Sequence, residues 1–414
     1  MKKVFLILFL LILAGCDSST PVSPNITIQP DNLDRDTLME ETDPELVDSL
    51  WEFTSLTQEL LESEDNEVYS PLSLYLALSM LLPATSETTH DELLEGLSIS
   101  STENFEENIQ PLLKKNNILD DEEDYANLLT NSIWLQNDRD DYDEEILEVL
   151  ENRYQAMHQF TDFKNEEKTK ELIEAFIDEQ TNGFIQELDL NIDSSITLLL
   201  LNTLYFKDQW QEQFKQETEF EFTTKDDKTI EVKGVMKKFE NPKYYVEDDL
   251  EMVMIPFRNG NQMLFIKPED IARFFEQDKI SDIHSLLENL EYSENTSVNL
   301  TMPEVDISSN FKELNKFLAS LSFTELMSDA PYLSYIEGEE TGMIINDIVQ
   351  QARITVDREG AEAAAYTSIG VEETSIPIIE EEIEMILDQP YVMVVLSPEY
   401  IPMFVSTVNN PANE

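Results

Sequence analysis

Apolar residues recur at helical spacing in the first half of the chain and in short unbroken runs in the second. Leu46, Leu50, Phe53, Leu56, Leu60 and Leu61 fall on one face of a helix that ends before Asn66. Ser70-Pro71 opens a second helix, with Leu74, Ala77, Leu78 and Leu81 on one side. Proline suits that first turn, where its missing N–H would have no intrahelical partner. A third amphipathic stretch runs near 168–182 and stops at Asn182-Gly183, a pair that accepts the left-handed backbone of a helix end. From Leu198 to Phe206 the apolar run is nearly continuous, as in a strand buried on both faces. Met252–Pro256, Met263–Ile266, Val298–Met302, Tyr391–Leu396 and Met403–Val408 read as shorter strands. Residues 311–321 read as one late helix carrying Phe311, Leu314, Phe317, Leu318 and Leu321. Helices first and strands later predict an α+β body built round large sheets. With no internal repeat and no second linker, residues 45–414 are expected to form a single domain.

The N-terminus reads as an address. Met1-Lys2-Lys3, an apolar run from Val4 to Leu13 and then Ala14-Gly15-Cys16 make residues 1–16 a signal peptide. The run is too short for an ordinary membrane span. Leu13-Ala14-Gly15-Cys16 resembles the bacterial lipoprotein signal, whose cleavage leaves a lipid-bearing cysteine at the new N-terminus. A plain secretory signal with an incidental cysteine is the alternative, but Cys16 is the only cysteine in the chain. Residues 17–44 carry Pro21, Pro24, Pro30 and Pro44 among Ser, Thr and acids, which predicts an extended acidic tether. The expectation is a secreted protein held by its lipid to a bacterial cell envelope or cell surface.

Composition narrows the chemistry. The 414 residues carry 26 Lys and Arg against 87 Asp and Glu, a net charge of −61, while 41% hydrophobic residues can fill a large core. That charge argues against nucleic acid as a partner, because phosphate binding needs basic stripes. Neither a GxxxxGK[ST] nor a GxGxxG loop is present. One cysteine excludes an intrachain disulfide and a cysteine zinc cluster. His90, His158 and His284 leave little for a histidine metal site, and no Asp-x-Asp-x-Asp-Gly loop marks a calcium site. No cofactor or metal is expected. So acidic a surface repels itself at low salt, and salt at 1 M shortens that repulsion to a range of roughly 3 Å. A saline habitat fits.

One segment stands out: Asp357-Arg358-Glu359-Gly360-Ala361-Glu362-Ala363-Ala364-Ala365-Tyr366-Thr367. Ala and Glu also favour helix. Read with period two, Ala361, Ala363, Ala365 and Thr367 share one face, and Glu362, Ala364, Tyr366 and Ser368 the other. A strand with one face of small residues can enter an existing sheet without overpacking, and Gly360 gives it a hinge. Further patterns accompany it. Asn66-Glu67-Val68-Tyr69-Ser70-Pro71-Leu72-Ser73 resembles the Asn…Ser-Pro-x-Ser motif of the serpin family. Asn202-Thr203-Leu204-Tyr205-Phe206-Lys207-Asp208-Gln209-Trp210 resembles its Asn-x-x-x-Phe-Lys-Gly-x-Trp strand. Thr181-Asn182-Gly183-Phe184-Ile185 resembles Thr-x-Gly-x-Ile. Pro390-Tyr391, Pro402-Met403-Phe404 and Asn410-Pro411 resemble the family's C-terminal strands. Each is weak alone; in this order along nearly the whole body they make the chain similar to a serpin.

The resemblance implies an α+β serpin fold of about eight to nine helices and three β-sheets, with an exposed reactive-centre loop near 357–385. It implies a monomer that is no enzyme but a suicide inhibitor. The target cleaves the loop and forms an acyl-enzyme, and the loop then inserts as a new strand and traps it. The partner is a serine protease, or a cysteine protease, which also forms acyl-enzymes. By family spacing from Gly360 the scissile bond is Thr374–Ser375, which suits an elastase-like or subtilisin-like enzyme. Glu373 is the next candidate and suits a glutamyl-specific one. Trypsin-like targets are disfavoured, since no Lys or Arg follows Arg358. Glu380, Glu381, Glu382 and Glu384 form either a solvated strand edge or a steering patch for a basic protease. Ser70, Ser73 and Asn202 match the polar cluster of the sheet-opening region, and Trp210 the tryptophan where the loop enters. Gln350 stands where the family has His, which removes a protonation switch. Arg358 stands where the family has Glu.

Two other readings are open. One is a non-inhibitory surface lipoprotein of the same fold that binds a partner or is cleaved as a substrate. The other is a hydrolase built on Ser309-Asn310-Phe311-Lys312, a Ser-x-x-Lys pattern without its Ser-Asp-Asn and Lys-Thr-Gly companions. The charge itself yields a first prediction: raising NaCl from about 0.1 to about 1 M should raise the unfolding temperature by several degrees. A salt-independent temperature, read by calorimetry, would contradict it.

Overall fold

The computed structural model describes residues 41–412 except 121–123, 185–191, 193, 248, 290–295, 313, 341–342 and 362–380. Among the described residues there are nine α-helices: α1 (Pro44–Leu56), α2 (Pro71–Ser79), α3 (Glu87–Gly96), α4 (Thr102–Lys115), α5 (Glu144–Tyr154), α6 (Glu166–Gln180), α7 (Ile271–Glu276), α8 (Lys279–Asn289) and α9 (Leu314–Leu321). The strands of the first half are β1 (Glu67–Tyr69), β2 (Asn117–Asp120), β3 (Tyr125–Gln136), β4 (Met157–Thr161) and β5 (Leu198–Gln209). They are followed by β6 (Gln216–Thr223), β7 (Thr229–Glu240), β8 (Lys243–Glu247), β9 (Leu250–Pro256), β10 (Gln262–Pro268), β11 (Thr296–Pro303) and β12 (Val305–Phe311). The last are β13 (Asp347–Val356), β14 (Gly360–Ala361), β15 (Glu381–Ile386), β16 (Tyr391–Leu396) and β17 (Pro402–Val408).

The strands make three sheets. A central seven-stranded sheet runs β12-β13-β14-β5-β3-β2, with β4 paired to β3. A six-stranded sheet runs β1-β17-β16-β10-β9-β8, and a four-stranded one runs β15-β11-β7-β6. Every residue of α2 is buried, as a helix apolar on all sides must be. The central sheet is covered on both faces. Leu198, Leu200, Leu204 and Phe206 of β5 belong to the main core with α2, whereas Leu199 and Leu201 pack with Trp134, Val349 and the α6 residues Ile173, Phe176 and Ile177. Both faces of β5 being apolar explains its nearly unbroken hydrophobic run.

The expected elements mostly recur with small shifts. The first helix ends at Leu56 and passes into a 3-10 turn over Gln58–Leu61. The helix predicted near 168–182 spans Glu166–Gln180 and is stopped by Asn182 and Gly183, with φ of 51° and 79°. Two expectations are corrected. Phe311 is not helical: it is the last residue of β12, opposite Gln350 on β13, and the late helix starts at Leu314. Strands are not confined to the second half, since β3 is twelve residues long. Its sequence hides it because buried polar residues interrupt the apolar pattern. Ser132 Oγ donates to the Leu201 carbonyl at 3.1 Å, and Asn127 Nδ2 to that of Lys115 at 3.2 Å, so these buried donors are satisfied. α1 begins at Pro44 and is capped by Asp43; residues 1–40, Cys16 and most of the expected tether included, lie outside the described residues.

Candidate functional site at the slot of the central sheet

β13 and β5 are parallel neighbours only part of the way along. Asp347–Gln350 pair with Leu199–Asn202. Beyond that the two strands are joined by β14, whose Gly360 and Ala361 lie opposite Gln209 and Asp208 of β5, with Ala361 also opposite Val356 of β13. β14 is antiparallel to both, so the chain leaves β13, turns back and starts down between β13 and β5.

The turn is built from its own residues. Asp357 N–H donates to the Gly360 carbonyl at 3.0 Å, and Asp357 Oδ1 accepts from the N–H groups of Glu359 and Gly360 at 2.7 and 3.1 Å. This is the aspartate-capped turn that the side chain's reach favours. Burial pushes the Asp357 carboxyl above its ordinary range despite those two bonds. Trp210, almost wholly buried, holds the turn from outside: its Nε1 donates to the Asp357 carbonyl at 2.8 Å and its backbone N–H to that of Glu359 at 2.9 Å. Its ring stacks on Phe257 with centroids 4.5 Å apart. Arg358 pairs with Glu304 at 3.1 Å and with Glu217 at 2.5 Å, and its N–H also donates to Glu304. The departure at Arg358 therefore produces an ion pair of its own. Glu217 is exposed and Arg358 and Glu304 are partly so, and water screens the pairs enough that they orient the turn more than they stabilise the fold.

Gly360 cannot be replaced without movement. A Cβ there would collide with the Asp208 carbonyl oxygen and come within 2.8 Å of Gln209 Cα. β14 enters close to β5 because its first residue has no side chain.

Lower in the sheet, Gln350 and Ser70 are joined twice: Ser70 N–H donates to Gln350 Oε1 at 3.0 Å, and Gln350 Nε2 to the Ser70 carbonyl at 2.9 Å. Ser70 also caps α2 by accepting from Ser73 N–H at 3.1 Å. Gln350 lies directly opposite Asn202, whose side chain bonds to Asn131. Ser73 Oγ and Asn202 Oδ1 are buried without a hydrogen-bond partner among the described residues. The structure thus gathers Ser70, Ser73, Gln350 and Asn202 at one level of the sheet and places Trp210, Gly360 and Ala361 at the other end of β5. The hinge positions Glu362, Ala363, Ala364, Ala365, Tyr366 and Thr367, and Glu373, Thr374 and Ser375 of the bait, lie outside the described residues.

Two further sequence readings are placed. Glu382 lies on β15 and is engaged by Lys238 Nζ at 2.8 Å and Asn299 Nδ2 at 3.0 Å, in keeping with a solvated strand edge. Ser309 sits on β12, donates to Glu67 Oε2 at 2.6 Å and accepts from Val68 N–H at 2.9 Å. A Ser-x-x-Lys pair needs one helix face, and Ser309 is on a strand, so the hydrolase reading is overturned.

Sequence reasoning passed over Asp208. It is 1% exposed, and its oxygens accept from Asn259 Nδ2 at 3.0 Å and Asn261 Nδ2 at 3.2 Å. Burial raises its carboxyl to about 7, even though these amide bonds favour the ionised form. The available signal was an acid at the end of an otherwise apolar strand, where the related pattern has Gly.

The model of the serpin family, described as serine protease inhibitor, matches residues 53–411; the chain belongs to the serpin family. Serpin A3-6 of Bos taurus is 29% identical over 367 residues, covering 85% of this chain and 84% of that protein. Alpha-1-antitrypsin of Meriones unguiculatus is 28% identical over 354 residues, covering 84% of each. Tengpin, a thermophilic serpin solved in its native state, has a TM-score of 0.77 at 20% identity, covering 92% of this chain and 97% of that one. Thyroxine-binding globulin complexed with thyroxine has a TM-score of 0.74 at 18% identity, covering 89% and 99%. At such identities these structures are alike in fold. Serpins are in general protease inhibitors, yet one neighbour on this fold is named for binding thyroxine.

Gly360→Ala should force β14 away from β5 and destabilise the native state by about 1–3 kcal/mol. Thermal unfolding of the variant checks this; an unchanged transition would show that the close approach at Asp208 is not required.

Proposed function

We propose that this serpin is an inhibitory one: a suicide inhibitor of elastase-like or subtilisin-like serine proteases, acting as a monomer tethered to a bacterial envelope by lipid on Cys16. The observation that supports this most is β14, already begun as an antiparallel strand between two strands that are otherwise parallel partners. Continuing its register would set Ala363 between Phe206 and Ile354, Ala365 between Leu204 and Ala352, and Thr367 between Asn202 and Gln350. All face the main core, where only small side chains fit beside those neighbours. Tyr366 would then fall level with Thr203, on the face that α6 covers. A strand entering there gains hydrogen bonds along both edges, each worth a net of about 0.5–1.5 kcal/mol.

Such entry moves an attached enzyme far. About 14 residues at roughly 3.3 Å each carry it some 46 Å, and a catalytic misplacement of about 1 Å already costs on the order of a hundredfold in rate. The bait is Gly370-Val371-Glu372-Glu373-Thr374, cut at Thr374–Ser375. Glu373 is the alternative cleaved residue and would point to a glutamyl-specific enzyme.

The test is to mix the secreted chain carrying Cys16→Ser with an elastase-like and a subtilisin-like protease in high salt. Denaturing gels and mass spectrometry follow. The expected result is a complex that survives denaturation, with release of a C-terminal peptide starting at Ser375. Complete cleavage without a complex would favour the partner-binding or substrate reading. In the same assay Ala363→Arg should cut trapping by about a hundredfold while leaving cleavage intact, because insertion would bury an unpaired cation at a cost of several kcal/mol. Undiminished trapping would exclude insertion. For the anchor, fatty-acid labelling should tag the unaltered chain and not Cys16→Ser; equal labelling would remove Cys16 as the lipid site.

A further inference from the structure

The carboxyl of Asp208 joins two bodies. It sits on β5 of the central sheet, opposite Ala361, and its amide donors Asn259 and Asn261 come from the turn between β9 and β10 of the six-stranded sheet. That turn is fastened to the same end of β5 through Arg258 N–H to the Gln209 carbonyl at 2.7 Å and Gln211 N–H to the Pro256 carbonyl at 3.0 Å. β14 already separates β5 from β13 beside this junction, and the two strands stay paired only over Leu199–Asn202 and Asp347–Gln350, so further entry must shift β5 below the point that this junction holds. A second observation concerns the junction's polarity. Asn259 Oδ1 is buried and has no hydrogen-bond partner among the described residues, while Asn259 Nδ2 donates to Asp208. An acid opposite that carries a proton can give it back and satisfy such an amide on both atoms. An ionised carboxylate has none, and it leaves the acceptor orphaned.

We propose that Asp208 is a proton-operated latch on strand entry: protonated, it completes a two-bond acid–amide pair with Asn259 and holds the head of β5 against the six-stranded sheet; ionised, it loosens the junction and speeds entry. The proposal rests on the reading of the slot as the path of the loop.

The surroundings favour titration near neutrality. From β3 the facing ionisable group is Tyr125, whose hydroxyl shares Asn261 at 3.3 Å and is itself pushed well above its usual range, first by burial and then by Asp208. The β9–β10 turn contributes the two amides and the exposed Arg258. On β5 itself, Lys207 and Gln209 both turn to Asp124, at 2.6 and 2.8 Å. Across the slot, Asp357 is engaged with its own turn and Arg358 with Glu304 and Glu217. The side-chain contacts that Asp208 itself makes are to neutral amides. Burial accordingly dominates and lifts its carboxyl to about 7. With the native-state value raised, the stability contributed by the protonated acid is present at low pH and is lost as pH rises through about 7. His90, His158 and His284 lie on α3, β4 and α8, away from this junction, so a variant at Asp208 separates any effect of theirs.

The experiment uses the secreted chain carrying Cys16→Ser, in molar salt, from pH 5.5 to 8.5. A synthetic peptide with the sequence of residues 361–374 is annealed into the sheet and uptake is followed on native gels, with thermal unfolding run in parallel. Uptake should quicken by about tenfold between pH 6 and pH 8, a change of about one unit in log rate, and the unfolding temperature should fall over the same interval. Asp208→Asn, which cannot ionise, should be slow and flat in both measurements. Asn261→Ala removes a donor to the ionised form, so it should move the midpoint upward, a change that a merely structural role would not give. Equal pH profiles for Asp208→Asn and the parent would overturn the latch, as would failure to take up peptide at any pH. Protease trapping is scored separately: a chain that traps nothing yet shows a titrating uptake keeps the latch and loses the inhibitor reading.

Discussion

A pair of strands that could run together and do not sets the character of this molecule. β5 and β13 share four paired positions, and then two residues of β14 stand between them. The central sheet is thus begun as one structure and could be completed as another. Everything around the gap serves to hold it at that stage. Trp210 grips the turn backbone, Gly360 lets it lie against β5, Arg358 fixes its direction through Glu304, and Gln350 with Ser70 closes the sheet where the gap ends. On the inhibitory reading proposed above, these local contacts would oppose the gain of an added strand.

The fold was readable where burial is uniform. β5, β16 and β17 carry long apolar runs because both sides are covered, and α1, α2 and α6 declare themselves by spacing and by Ser-Pro or Asn-Gly boundaries. The elements that escaped are those where polar residues are buried or where few apolar ones exist. β3 carries Asn127, Thr130, Asn131 and Ser132 into the interior, and α3 buries only Thr89 and Leu93. Hydrogen-bond partners contributed by distant strands cannot be inferred from a local period.

The same reasoning separates the parts of the site. Gly360 was legible as a free hinge at the head of a strand with one face of small residues, and Trp210 and Ser70 through the motifs they resemble. The pairing of Arg358 with Glu304 was not, since 87 acids offer too many partners for a cation 54 residues away. Asp208 was illegible for a related reason: its environment is made by amides 51 and 53 residues further on. Whether an acid in a strand is a surface charge or a buried proton store depends on a turn in another sheet.

The C-terminal hairpin carries one more implication. All thirteen residues of β16 and β17 are buried, and β17 lies between β16 and β1, pairing Val405, Ser406 and Thr407 with Tyr69, Val68 and Glu67. Contacts that span nearly the whole chain are slow to form, because the intervening loop must close before they can be made. β1 therefore waits for β17, and this part of the interior stays open until β17 has been made. A chain lacking β17 would keep its helices and most of its central sheet in sequence but have no seat for β1, and the α2 helix that begins two residues later would lose one of the surfaces it packs on.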